Sequence, residues 1–296
     1  MSQWDGRSKG TLLGYKIFVF FIKKLGVRTA YGLLIFVAFY YFLFYPKNFR
    51  DLFYYLHKRQ GFSFLRAIVK VYQTYFVFGQ TIIDKVAISA GLRNRFTYNF
   101  DGIEHLQAVL SENKGGILIS AHVGNFEISE RFFSDLDLSF QINQVTVDQE
   151  VSIIKAYLEK MADKSEIKHI FIQEDMSHVF AINEALANKE LICFTGDRYF
   201  EGSKVLKANL LGKEAIFPAG PFHLASRLGV PIIFVYVMKE PNQHYHLYAR
   251  RATEIKHRDA QSVLEAYVGS VERILKRYPL QWFNFFDFWN RNKQAS

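Results

Sequence analysis

The stretch Gly115–Glu130, GGILISAHVGNFEISE, constrains the fold more than any other part of the chain. Ile117, Leu118 and Ile119 form a short aliphatic run with no polar side, as in a strand covered on both faces. Ala121–Gly124 then make a sharp turn, and Asn125 is an N-cap candidate for a helix over Asn125–Asp135. A doubly covered strand that feeds a helix belongs to a parallel sheet with helices packed on it.

From Phe96 onward the pattern repeats. Strands are predicted at Phe96–Phe100, Gly116–Ser120, Phe140–Val147, His169–Ile172, Leu191–Thr195, Lys204–Leu211, Pro231–Met238 and His244–Arg250. Helices are predicted at Ile103–Asn113, Asn125–Asp135, Glu150–Asp163, Met176–Asn188, Pro221–Leu228 and Ala260–Tyr278. This is an α/β class: a mostly parallel mixed sheet flanked by helices, read as one domain over residues 91–296.

The N-terminal part is different. Residues 1–95 hold fifteen Lys and Arg against three acids, Asp5, Asp51 and Asp84, while the remainder is close to neutral. Thr29–Tyr45 is seventeen residues without a charge. As a helix it would measure ~26 Å, just short of the ~30 Å hydrocarbon core. Leu12–Leu25, apolar with interspersed lysines, reads as a helix lying at an interface. Phe62–Ala90 reads as a third helix, stopped at Gly91. Residues 1–90 are therefore expected to be a basic, aromatic helical region that meets an anionic membrane surface. Both flanks of Thr29–Tyr45 are basic, which favours a monotopic or re-entrant anchor over a single span. No nucleic-acid module is present, and the long apolar runs oppose that partner.

Chemistry is expected at strand ends that feed helices. There His122 stands at the turn, with Glu127 five positions on: an imidazole able to act as general base and a carboxylate to fix its tautomer. Asn125 and its neighbours could supply backbone N–H groups to a developing negative charge. Asp197 and Arg198, in TGDRYF after another apolar strand, combine a fixed charge with a planar donor fork for phosphate or carboxylate. Gly220, in the Pro218–Pro221 turn before a helix, admits a close approach of backbone or ligand, and such a helix start can hold an anion. His244 and His246 share one face of a strand but have no evident third ligand, so no metal is expected. The single cysteine, Cys193, lies in an apolar strand and reads as core. The GxSxG, GxxxxGK[ST] and GxGxxG motifs are absent, which removes support for serine hydrolases, P-loop NTPases and dinucleotide oxidoreductases.

Together, His122-x4-Glu127 after GGILISAH, the GDR at Gly196–Arg198, FPAGPFHLASRLGVPIIFVYV at Phe217–Val237 and PLQWFNFF at Pro279–Phe286 resemble the late acyltransferases of lipid A biosynthesis, within the lysophospholipid acyltransferase superfamily. The resemblance covers nearly the whole chain. It implies a glycerolipid acyltransferase-like fold at the cytoplasmic face of a bacterial inner membrane. It also implies transfer of an acyl chain from acyl carrier protein or coenzyme A to a hydroxyl of a lipid acceptor, with no cofactor beyond the thioester. His122 and Glu127 would be catalytic, and Asn125, Asp197, Arg198 and Gly220 would lie at the substrate. The lipid A enzymes usually carry Asp-Gln where this chain has Asp197-Arg198, and the glycerolipid branch carries Pro-Glu-Gly-Thr where it has Pro218–Pro221. A related lipid acceptor therefore stays open, as do an acyl-thioesterase using the same pair on water and a non-catalytic lipid-binding scaffold.

Overall fold

In a computed structural model, which describes residues 12–129, 132, 140–146, 167–173, 175–200 and 202–289, the run Gly116–Ser120 is a strand with all five residues buried. Numbered along the chain, the strands are β1 (Thr97–Asp101), β2 (Gly116–Ser120), β3 (Ile142–Thr146), β4 (Lys168–Phe171), β5 (Leu191–Thr195), β6 (Val205–Leu210), β7 (Lys213–Pro218), β8 (Ile232–Glu240) and β9 (His244–Arg251). Seven of them form a sheet in the order β1-β9-β8-β2-β5-β3-β4. Strands β8, β2, β5, β3 and β4 run parallel, while β9 is antiparallel to β8 and pairs with β1 in parallel. The mostly parallel mixed sheet expected from the strand pattern is the one found.

The helices are α1 (Leu12–Leu25), α2 (Val27–Phe44), α3 (Pro46–Tyr54), α4 (Phe64–Ala87), α5 (Ile103–Ser111), α6 (Ser177–Ala187), α7 (Ala219–Arg227) and α8 (Ala260–Arg277). The helix expected at Glu150–Asp163 lies outside the described residues, as does part of Asn125–Asp135, which opens with a 3₁₀ turn at Phe126–Ile128. One strand was not foreseen. β7 pairs with β6 as a separate hairpin, closed by Leu211 and Gly212, both at positive φ. A Leu-Gly pair is a weak hairpin signal, because residues other than Gly and Asn seldom take the first left-handed place.

The alternation along β2 separates two hydrophobic layers. Ile117 and Ile119 face a cluster with Phe194, Phe234 and the inner side of α8, whereas Leu118 faces Cys193, Val235 and α5. α8 buries Val263, Leu264, Tyr267, Val271 and Ile274 at helical spacing. Its N-cap Asp259 accepts from the N–H groups of Gln261 and Ser262 at 3.0 and 3.2 Å, a cap worth about 1 kcal/mol. The N-terminal helices belong to both layers. Ile22, Val27, Ala30 and Ile83 join one cluster, while Ala38, Leu52, Tyr55 and Val71 join the other. α4 thus passes from one layer to the other, and its last turns lie against the loop that leaves β2.

Candidate active site

The site follows from strand register. β2 and β5 are adjacent and parallel with Ser120 opposite Thr195, so His122 and Asp197 each leave the sheet two residues beyond a paired position. His122 Nδ1 lies 2.7 Å from Asp197 Oδ1, and the His122 backbone N–H donates to both carboxylate oxygens at 3.1 Å. Trp282 Nε1 donates to Oδ2 at 3.3 Å. Asp197 is 2% exposed, whereas the His122 side chain is 29% exposed, so a buried anion holds an imidazole that reaches the surface. Burial pushes the Asp197 carboxyl up, but the charge and hydrogen bonds of His122, with Arg198 alongside, prevail and hold it at about 2. A carboxylate offers no hydrogen, so in the neutral ring Nδ1 carries the proton and Nε2 the lone pair. That is the tautomer a general base at Nε2 needs.

Two glycines make the close packing possible. Gly124 has φ 62°, and a Cβ there would stand 2.1 Å from the Val237 carbonyl oxygen. At Gly196 a Cβ would meet the Tyr267 ring at 2.9 Å, and the Tyr267 hydroxyl donates to the Ser120 carbonyl at 3.1 Å.

The C-terminal segment straps this turn down. Gly124 N–H donates to Gln281 O at 2.8 Å, Phe283 N–H to His122 O at 3.0 Å, and Asn125 N–H to Val237 O at 2.7 Å. The backbone N–H groups of His122, Gly124 and Asn125, expected as donors to a developing anion, are therefore committed within the protein. Arg198 is likewise engaged: Nη2 donates to Phe283 O at 3.0 Å and Nε to Asn284 Oδ1 at 3.3 Å. Its fork fastens the strap, a use its place beside Asp197 in sequence did not announce.

Glu127 occupies a different place from the one its spacing implied. It sits on the 3₁₀ turn with its side chain half exposed and paired to Lys85 of α4, while Asp197 takes the Nδ1 position. The Lys85 ammonium holds the Glu127 carboxyl below the ordinary range, and His122 adds to that lowering. Asn125 makes no side-chain cap; its amide donates to Thr81 O of α4 at 2.9 Å and to the Tyr245 hydroxyl at 3.5 Å. Gly220 is exposed in the first turn of α7, and among the described residues nothing beyond its chain neighbours and its own helix backbone lies within 4 Å of where its Cβ would be. Phe222 of the same helix packs beside Gly196. His244 contacts Thr97 Oγ1 at 2.8 Å, and the His246 ring stacks on Tyr248 at 4.4 Å.

Behind the turn lies a second polar group that the sequence reading missed. Lys239 Nζ contacts Asp84 Oδ2 at 2.6 Å and the Tyr31 hydroxyl at 2.9 Å, and the Tyr245 hydroxyl donates to Asp84 Oδ2 at 2.6 Å. Tyr31 also donates to Asp84. Gln281 brackets the Lys239 backbone, accepting from its N–H at 2.9 Å and donating to its carbonyl at 2.7 Å. The signal was available. Asp84 is one of only three acids in the first 95 residues and stands in an apolar helix, where an ionised group needs a dedicated partner.

A comparison with curated proteins finds no match. A family model for bacterial lipid A biosynthesis acyltransferases matches residues 66–291, from α4 to just past the C-terminal strap. The matched span takes in the α4 turns, the His122–Asp197 pair and the strap, and covers well over half of the chain. The chain therefore belongs to the bacterial lipid A biosynthesis acyltransferase family and is an acyltransferase.

Proposed function

We propose that the chain moves a fatty acyl group from an acyl carrier protein or coenzyme A thioester to a hydroxyl of a lipid A-type or related lipid, at the cytoplasmic face of a bacterial inner membrane. His122 accepts the acceptor hydroxyl proton at Nε2. The oxygen attacks the thioester carbonyl carbon, the tetrahedral intermediate expels the thiolate, and the imidazolium returns its proton to the leaving sulfur. No covalent acyl-enzyme is required. Asp197 holds Nδ1–H and stabilises the imidazolium, and Glu127, kept ionised by Lys85, adds a second negative charge nearby. In the first turn of α7 the Ala219 N–H is taken by Lys204 O, and Pro218 and Pro221 have none, so the exposed Gly220 offers a single N–H to an anionic part of a substrate. Residues 1–90 serve membrane association and 91–296 carry the chemistry, with α4 contributing Thr81 and Lys85 across that division.

The observation that carries this reading is the 2.7 Å contact between a buried carboxylate and a partly exposed imidazole at adjacent strand ends. Purified enzyme incubated with a labelled acyl thioester and a total lipid extract should yield a new ester-linked lipid, identified by mass spectrometry. His122→Ala should lower its formation by about 10²–10⁴-fold at equal folding. Label appearing only as free fatty acid replaces transfer by thioester hydrolysis. Lipid binding without turnover from either carrier leaves a non-catalytic protein.

A further inference from the structure

Resting on the membrane association proposed above, we infer that α2 does not cross the bilayer but lies face-on in one leaflet, offering its outer side to the acyl chains of an anionic lipid surface. By length and composition α2 is the one helix among the described residues able to span. Its packing argues otherwise.

The N-terminal half of α2 is held inside the protein. Val27, Ala30 and Leu34 are buried, Leu34 fills the space left by Gly79 of α4, and the Tyr31 hydroxyl completes the buried Asp84–Lys239 pair. Swinging this half out would strip a hydrogen-bond partner from two buried charges. Residues 35–44 are then all that remains, ~15 Å of helix against a hydrocarbon core of ~30 Å.

The far end is fastened too. After Phe44 the chain turns at once into α3, whose Leu52 is buried and is followed by Tyr55 packed on Trp282, the residue that donates to Asp197. A continuous series of rings, Phe42–Phe49–Phe53–Phe64, ties the end of α2 through α3 to the start of α4, with centroids 5.5, 5.9 and 5.2 Å apart. Both ends of α2 are thus bound to the same body.

Its outer face is nevertheless apolar. Phe36, Tyr40, Leu43 and Phe44 are at least half exposed, and Phe64 and Leu65 of α4 extend the patch beyond the α2 terminus. A helix that is apolar all round needs cover on both sides. The charge around the patch selects the cover. Lys23, Lys24 and Arg28 stand exposed at one end, and Lys47, Arg50 and Arg66 at the other, whereas both described acids of this region, Asp51 and Asp84, are buried. Anionic headgroups complement that rim. A second copy would meet it with the same positive charges across a two-fold axis.

The test uses the full chain with Lys24→Cys or Lys47→Cys, exposed positions flanking α2, and retains Cys193, which is buried. Sealed membrane vesicles of one orientation are treated with a membrane-impermeant maleimide before and after detergent. Equal reactivity of the two sites before detergent places both ends of α2 on one face, as inferred. One site reacting before detergent and the other only after it overturns the inference. A nitroxide on Phe36→Cys should report hydrocarbon of the near leaflet. A nitroxide fully open to water, or shielded in a dimer without lipid, removes lipid as the cover. Acyl transfer measured on the same vesicles separates the two readings, because loss of transfer with both sites on one face breaks the catalytic proposal alone.

Discussion

Two carboxylates in this protein are almost equally inaccessible, and their surroundings give them opposite tasks. Asp197 is 2% exposed and Asp84 is fully buried. Asp197 faces an imidazole that is 29% exposed, whereas Asp84 faces an ammonium that is 6% exposed and is further enclosed by two tyrosine hydroxyls. A buried anion whose basic partner reaches the surface can pass a proton to something outside. A buried anion whose partner is equally enclosed can only hold elements together. Burial alone does not distinguish chemistry from attachment; the exposure of the partner does.

The largest effects should come from removing each charge in turn. Asp197→Asn should lower transfer by about 10²–10⁴-fold while the folded population stays intact, because the amide no longer secures the Nδ1–H tautomer. Asp84→Asn strands the Lys239 ammonium in the core and should lower unfolding stability by roughly 3–5 kcal/mol, with turnover per folded molecule unchanged. The pair Asp84→Leu with Lys239→Met should recover much of that loss, since neither charge then remains. Denaturant titration beside kcat on the folded fraction checks both, and an Asp84→Asn enzyme as slow as Asp197→Asn at full folding would erase the distinction.

Acid gives a smaller, graded contrast. The Asp197 carboxyl is held at about 2, below its ordinary value of 3.8, so its contribution is complete above the ordinary range and is lost as pH falls towards 2. The loss is on the order of 2 kcal/mol. Unfolding followed between pH 5 and 2 should lose that slope in Asp197→Asn; an unchanged slope means that other carboxylates govern acid stability.

The smallest effect on stability belongs to the half-exposed Lys85–Glu127 pair. Glu127→Gln should change unfolding free energy by under about 1 kcal/mol, as exposed pairs do, and should lower transfer by less than Asp197→Asn. A loss of transfer equal to that of Asp197→Asn would make Glu127 a full partner of the imidazole and move the centre of the site towards α4.

The α/β class, the apolar helix near the N-terminus and His122 at a strand end could all be read along the chain. They depend on local patterns: an aliphatic run with no polar side, a long stretch without charge, a turn of small residues. The partner of His122 could not be read that way, because five residues of spacing place Glu127 nearby without saying which way it points. Register decided that matter: β2 beside β5, with Ser120 opposite Thr195, brings a carboxylate 75 positions away within 2.7 Å of the ring. The same holds for Arg198, whose fork is taken up by a C-terminal strap some 85 residues on, and for Asp84, whose partners come from α2, β8 and β9. Local periodicity determines what each segment becomes, since it reflects which faces must be covered. Which polar groups meet is decided only when the sheet order and the crossing of α4 between layers bring distant segments together, because a buried charge takes whatever partner the tertiary packing sets beside it.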